Sequence, residues 1–215
     1  MIDRLHYISQ PDGMGNHLPA IEKALAAGCR WIQLRIKDRE AAFMLEQASA
    51  AKALCEANDA KLIVNDHPEV ALAVGAYGLH LGLSDMPIVA ARGIVGPEMI
   101  IGGTANTFDH VVQRVREGAN YVGLGPFRFT PTKKNLSPIL GLPGYTSIMK
   151  QLQQSAIDIP VIAIGGLNAE DIPALIEVGL YGVAISAAIT CSDSPEVVVS
   201  SLVEGLNQNL NHLTR

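Results

Sequence analysis

Tyr121-Val-Gly-Leu-Gly-Pro-Phe-Arg-Phe-Thr-Pro-Thr-Lys-Lys134 joins a buried strand to the polar loop that the strand delivers. Tyr121, Val122 and Leu124 form an apolar run of β-branched and aromatic character, the mark of a strand. Gly123 and Gly125 leave backbone bare, where another backbone or a ligand comes close. Pro126 ends the strand, and Thr130, Thr132, Lys133 and Lys134 follow. Hydroxyls and loop amides donate hydrogen bonds and lysine supplies charge, so this cluster reads as an anion site. Taken alone it reads equally well as a solvated loop. The rest of the chain decides between the two, because its other strand-like segments also end in polar or glycine-rich residues.

Outward from this stretch, short apolar runs fall at 4–8, 31–35, 61–66, 78–82, 99–104, 160–166 and 182–188, and 121–125 makes an eighth. Helical stretches alternate with them. One starts near Pro19 and is closed by Gly28, a long alanine-rich one covers 39–57, and short ones follow Pro68 and Pro87. Thr107 can cap a helix to Glu117, and another lies near 145–154. Asn168 caps one that ends at Gly179, and the last covers 195–210. The strands are apolar almost without alternation, as parallel strands covered on both faces are. Eight βα units in 215 residues predict a TIM (β/α)8 barrel; the rival, an open doubly wound sheet, usually has fewer strands. No linker or composition break divides the chain, so 1–215 reads as one catalytic domain.

The net charge is −5, which confines any anion site to a local patch and argues against broad nucleic-acid binding. Aromatic residues make up 5% of the chain, too few for base-stacking platforms. Cys29, Cys55 and Cys191 lack metal-ligand spacing and suit a reduced, cytoplasmic setting. No leader-like or membrane-length apolar run stands out. Small phosphorylated molecules are the expected partners, and a homo-oligomer is left open.

A barrel of this kind places its active site at the C-terminal ends of the strands. Gln33-Leu-Arg-Ile-Lys37 puts three polar residues on one face of a strand and its continuation. Arg35 and Lys37 then form a clamp for phosphate or pyrophosphate, with Arg35 able to hold two oxygens at once. Asn65-Asp66 ends the third strand and Asp85 lies just past the fourth. Two carboxylates facing cations that hold phosphate suggest Mg2+, which takes one or two carboxylates plus substrate oxygens. Asp85 also reads as a helix N-cap, and Asp66 as a turn residue before Pro68. Gly165-Gly166 and the 182–188 strand fit the phosphate site that such barrels form after strands seven and eight. His80 reads as a hydrogen-bonded core residue and His67 as an exposed loop residue; neither is expected to act as a base.

These motifs together resemble the thiamine phosphate synthase (thiamine-phosphate pyrophosphorylase) family, over nearly the whole chain. They are Gln33-Leu-Arg-Ile-Lys37, Leu62-Ile-Val-Asn-Asp66, His80-Leu-Gly82 with Asp85, Tyr121 to Pro126 with Thr130 to Lys134, and Ala163-Ile-Gly-Gly166. The resemblance implies a TIM barrel that joins an aminopyrimidine methyl diphosphate to a thiazole ethyl phosphate, with Mg2+, giving thiamine monophosphate and pyrophosphate. It implies that Gln33, Arg35, Lys37, Asn65, Thr104 and Lys133 hold the pyrimidine diphosphate, and that Arg35, Lys37 and Lys133 act in catalysis. It implies Asp66 and Asp85 as metal ligands, and Thr130, Thr132, Gly166, Ser186 and Ala187 as the thiazole phosphate site.

Four positions depart from the family pattern. Leu83 stands where glutamine is usual, Asn106 where histidine is common and His67 where arginine is usual, and Ser186 is offset by one, with Ala187 in the serine's place. Two alternatives remain. One is a thiazole tautomerase-like isomerase, against which Asn106 and the presence of both aspartates argue; the other is a non-catalytic barrel that binds thiamine phosphates.

Overall fold

The computed structural model describes residues 1–130 and 137–207. Eight parallel strands close into a barrel in sequence order: β1 (Leu5–Ile8), β2 (Trp31–Leu34), β3 (Lys61–Asn65), β4 (Gly78–Leu81), β5 (Ile100–Ala105), β6 (Tyr121–Leu124), β7 (Val161–Ile164) and β8 (Gly182–Ile185). β1 closes on β8 with His6 opposite Ala184. This is the TIM barrel that the strand count implies.

The helices α1 (Leu18–Ala26), α2 (Ala41–Ala57), α3 (Pro68–Ala73), α4 (Ile88–Val95), α5 (Phe108–Arg116), α6 (Gly141–Gln154) and α7 (Ile172–Glu177) form the outer ring. The one-turn α8 (Ala187–Thr190) and the longer α9 (Pro195–Asn207) follow β8. Thr107 caps α5, its Oγ1 accepting from His110 N at 3.2 Å. Asn168 and Asp171 form a reciprocal capping box before α7. α6 begins at Gly141, four residues before the expected start at Tyr145. α8 has no counterpart in the sequence reading, which took 182–188 as a strand; a four-residue helix is too short to show a helical period. Among the described residues, no helix is long and apolar enough to cross a membrane.

Two apolar layers follow from strand alternation. Ile32, Leu34, Leu62 and Val64 face outward against the helices. Trp31, Ile63, Tyr121 and Ile162 fill the barrel interior. Trp31, the chain's single tryptophan, is fully buried and stacks on His6 with ring centroids 4.6 Å apart. Cys29 and Cys55 are buried too, and burial pushes both thiols up to about 12.

His6 makes the barrel floor sensitive to acid. Burial holds its imidazole neutral, with a pKa pushed down to about 3, against the backbone hydrogen bond to Asp3 and with His80 adding to the effect. The unfolded chain takes up the proton near 6.5, so the native state is favoured above that pH and loses stability as pH falls toward 3. From pH 7 to 5 the expected loss from His6 is about 2 kcal/mol, since one pH unit of linkage is worth about 1.4 kcal/mol. Urea unfolding of wild type and His6→Phe at both values checks this. The variant should lose that much less on acidification, and an unchanged pH dependence would remove His6 as the cause.

Candidate active site

β2 carries Gln33 inward, and the alternation persists past its last paired residue. Gln33, Arg35 and Lys37 line one cavity of about 350 Å3 at the C-terminal mouth of the barrel, while Leu34 and Ile36 pack outward. Gln33 is buried, and its Nε2 donates to Asn65 Oδ1 on β3 at 2.7 Å. Arg35 is anchored through its backbone: its N–H donates to Ser9 Oγ at 3.1 Å. The Ser9 hydroxyl also hydrogen-bonds with His17 Nδ1, 2.8 Å away. Burial, with Arg35 adding to it, lowers the His17 pKa to about 4, which keeps that ring neutral. A buried network beneath the loop after β1 thus fixes the strand end that presents the guanidinium.

Asp66 and Asp85 meet on the same wall. Asp66 adopts φ +68°, a left-handed turn conformation that aspartate tolerates better than most residues. It pairs with Lys37 Nζ. Burial, and then the hydrogen bond with Asp85, raises the Asp66 pKa to about 6 in spite of Lys37. For Asp85 burial acts the other way, but the hydrogen bond from Asp66 and the Gly82 N–H hold it below the usual carboxylate range. The two carboxyls thus sit close enough to shift one another, Asp66 upward and Asp85 downward. The expected N-cap role of Asp85 does not occur. Pro87 is the N-cap of α4, and Asp85 Oδ2 instead accepts Gly82 N at 2.6 Å, closing the turn after β4.

Among the described residues no three His, Cys, Asp or Glu side chains gather as a metal cage. Two hard carboxylates open to a cavity fit an ion that keeps water and substrate oxygens, as Mg2+ does, and do not fit a closed zinc site.

Thr104, on β5, lines the cavity beside His80. The His80 ring is hydrogen-bonded on both nitrogens, Nδ1 to Tyr121 Oη and Nε2 to Thr104 Oγ1, each at 3.0 Å. Arg114 on α5 braces this wall from behind. It is 3% exposed, and it donates from Nε to the Thr104 carbonyl at 3.1 Å and from Nη2 to the Gly82 carbonyl at 2.8 Å. Gly103 is bare because a Cβ there would lie 2.7 Å from Arg114 Cδ.

Thr130, Gly165, Gly166, Ser186 and Ala187 line the opposite wall. Gly165 and Gly166 have φ +100° and +67°. A Cβ on Gly166 would stand 2.5 Å from Arg128 Cγ and 2.9 Å from the Phe129 carbonyl. Arg128 latches this turn, donating to the Gly166 carbonyl at 2.8 Å and to both Asp171 oxygens at 2.8 and 2.7 Å. The latch escapes sequence reading because its partners lie 43 residues apart. Ser186 donates its hydroxyl to the Ile8 carbonyl at 2.7 Å, so the side-chain proton is committed to β1 and the backbone faces remain for a ligand. Thr132 and Lys133 lie outside the described residues, as does Lys134.

Of the departures, Leu83 lines the cavity. His67 is half-buried at the N-cap of α3, not exposed in a loop as its neighbours suggest. Asn106 is buried, and its Nδ2 donates to the Gly125 and Pro138 carbonyls, each at 2.9 Å. Ser84 and Ser137 also line the cavity; nothing in their local sequence marks them.

A family model described as thiamine monophosphate synthase matches residues 5–189. The chain belongs to the thiamine monophosphate synthase family. It is 46% identical over 210 residues to the thiamine-phosphate synthase of Flavobacterium johnsoniae, covering 98% of this chain and 99% of that one. It is 49% identical over 191 residues to the thiamine-phosphate synthase of Bacteroides fragilis, covering 89% and 94%. Among solved structures, thiamine phosphate pyrophosphorylase from Pyrococcus furiosus superposes with a TM-score of 0.81 at 28% identity, covering 96% of each chain. More distant barrels in the family's fold, such as 3-hexulose-6-phosphate synthase at 16% identity and a TM-score of 0.65, share the architecture alone.

Proposed function

We propose that this chain condenses 4-amino-2-methyl-5-(diphosphooxymethyl)pyrimidine with thiazole ethyl phosphate, forming thiamine monophosphate and releasing pyrophosphate. Family membership supports the reaction class. The observation that carries the reading is one cavity with two chemically different ends: Arg35, Lys37, Asp66 and Asp85 on one wall, Gly165, Gly166 and the Ser186-Ala187 backbone on the other. Two phosphorylated substrates, one of them a diphosphate, match that division.

In this reading Arg35 and Lys37 hold the diphosphate and stabilise the charge that builds as it departs. Asp66 and Asp85 would hold Mg2+, which when bound supplies Lewis-acid neutralisation of the diphosphate oxygens. Gln33 and Asn65, locked to one another, orient the pyrimidine. The bare backbone at Gly166 admits the thiazole phosphate and brings the thiazole nitrogen to the pyrimidine methylene carbon. An aminopyrimidine supports a cation at that carbon, so the C–O bond breaks without a protein nucleophile. The buried thiols of Cys29 and Cys55 agree with this, as neither lines the cavity. The same thiols suit a cytoplasmic setting.

The tautomerase-like alternative needs an acid/base group, and Asn106, spent on two backbone carbonyls, offers none. A coupled pyrophosphate-release assay with both substrates tests the proposal. Release should require both of them, and binding of thiazole phosphate without turnover would replace this reading with the non-catalytic barrel.

A further inference from the structure

A polar column runs up the barrel interior and ends at the cavity. Tyr121 sits at the floor, fully buried; its hydroxyl meets His80 Nδ1 at 3.0 Å, and the neighbouring Trp31 indole has only an N–H to donate. Burial raises the tyrosine pKa, so the phenol keeps its proton. A buried O–H needs an acceptor, and Nδ1 is the one present. His80 must then carry its proton on Nε2, which faces Thr104 Oγ1 at 3.0 Å. Were Nδ1 protonated instead, alone or together with Nε2, two protons would point at each other or the phenol would be a buried donor with no acceptor. Thr104 Oγ1 therefore accepts from His80. With no other partner among the described residues, its own proton is left to point into the cavity that Thr104 lines.

The backbone is shaped around this column. A Cβ on Gly102 would collide with the Tyr121 ring, and one on Gly123 would lie 3.2 Å from His80 Cε1. Both positions sit inside strands, where glycine weakens the ladder unless something must come close. The two rings that come close are those of the column.

We infer that Tyr121 and His80 are positioning residues that orient the Thr104 hydroxyl as an obligate hydrogen-bond donor toward an acceptor oxygen of the diphosphate substrate. The diphosphate partner rests on the function proposed above. The donor gains strength as negative charge grows on the leaving group, so its orientation bears on turnover more than on binding.

The test has two arms. Proton-coupled 15N spectra of histidine-labelled enzyme, with His80 assigned by loss of its signals in His80→Gln, should show a neutral ring protonated on Nε2 with Nδ1 as acceptor. Protonation on Nδ1 would overturn the inference with no variant needed. Kinetically, Tyr121→Phe keeps the ring and removes the donor, and should lower kcat roughly three- to tenfold, the size of one hydrogen bond, with KM for the diphosphate little changed. The same change in a Thr104→Val background should have almost no further effect on kcat. A Tyr121→Phe loss of equal size in both backgrounds would mean that tyrosine serves packing alone and would refute the relay. If wild type shows no condensation while His80 is the Nε2–H tautomer, the function proposal fails and the column's polarity survives.

Discussion

Asp66→Asn and Asp85→Asn should each lower turnover by roughly 10³-fold while leaving the barrel folded. Lewis-acid stabilisation of a departing diphosphate is worth several kcal/mol, and about 1.4 kcal/mol is a factor of ten in rate. Asparagine keeps the volume and the hydrogen-bonding oxygen but removes the charge that a hard cation needs. The two variants should differ in stability. Asp85 closes the turn after β4 through Gly82 N at 2.6 Å, a bond that an amide oxygen can still accept. Asp66 pairs with Lys37, and losing it leaves an exposed lysine, which costs little. Both should therefore melt within a few degrees of wild type. Steady-state pyrophosphate release measured against added Mg2+, with thermal melts alongside, reads both quantities. Full activity in EDTA-stripped wild-type enzyme, or in either variant, would end the assignment of these carboxylates to a metal.

Gly166→Val should raise KM for the thiazole phosphate by roughly 10- to 100-fold and leave KM for the pyrimidine diphosphate within about threefold, the pattern of a lost ground-state contact. Two effects add. The residue sits at φ +67°, where a β-branched side chain is strained by roughly 1–3 kcal/mol. Its Cβ would also press on Arg128 Cγ and the Phe129 carbonyl, forcing apart the latch from Arg128 to Asp171. The comparison variant is Arg128→Lys, which loosens the latch without filling the cradle and should give a smaller rise in the same constant. Equal effects on both substrates would show that Gly166 supports the whole mouth and not one phosphate. A selective effect on the diphosphate would reverse the two ends of the cavity.

Sequence alone determined the barrel and which polar residues gather at its C-terminal mouth. The eight apolar runs carry their own period, because a strand covered on both faces has no polar position to offer until it ends. The polar residues that follow each run therefore mark the C-terminal mouth. The period of two beyond Trp31 likewise assigned Gln33, Arg35 and Lys37 to one face, since alternation depends on local backbone geometry and nothing else. Thr107 and Asn168 were legible as caps for the same local reason.

What only the tertiary structure decided is which groups answer each other across the barrel. Asp85 reads as a helix cap in isolation, yet it turns to Gly82 N and lies beside Asp66, because closure sets β3 and β4 side by side. Gly102, Gly103 and Gly123 look like generic strand glycines. Each is bare for a ring or guanidinium that arrives from another strand or helix: Tyr121, Arg114 and His80. Asn106 reads as a departure from a common histidine, and the fold shows it tying down two carbonyls, one of them on the stretch that begins at Tyr121. Ser186, a hydroxyl suited to phosphate by type, gives its proton to Ile8 on the strand that closes the barrel. These partners lie between 3 and 178 residues away in the chain. Hydrophobic periodicity reports which face a side chain takes; it holds no information about what stands opposite, which closure of the barrel alone supplies.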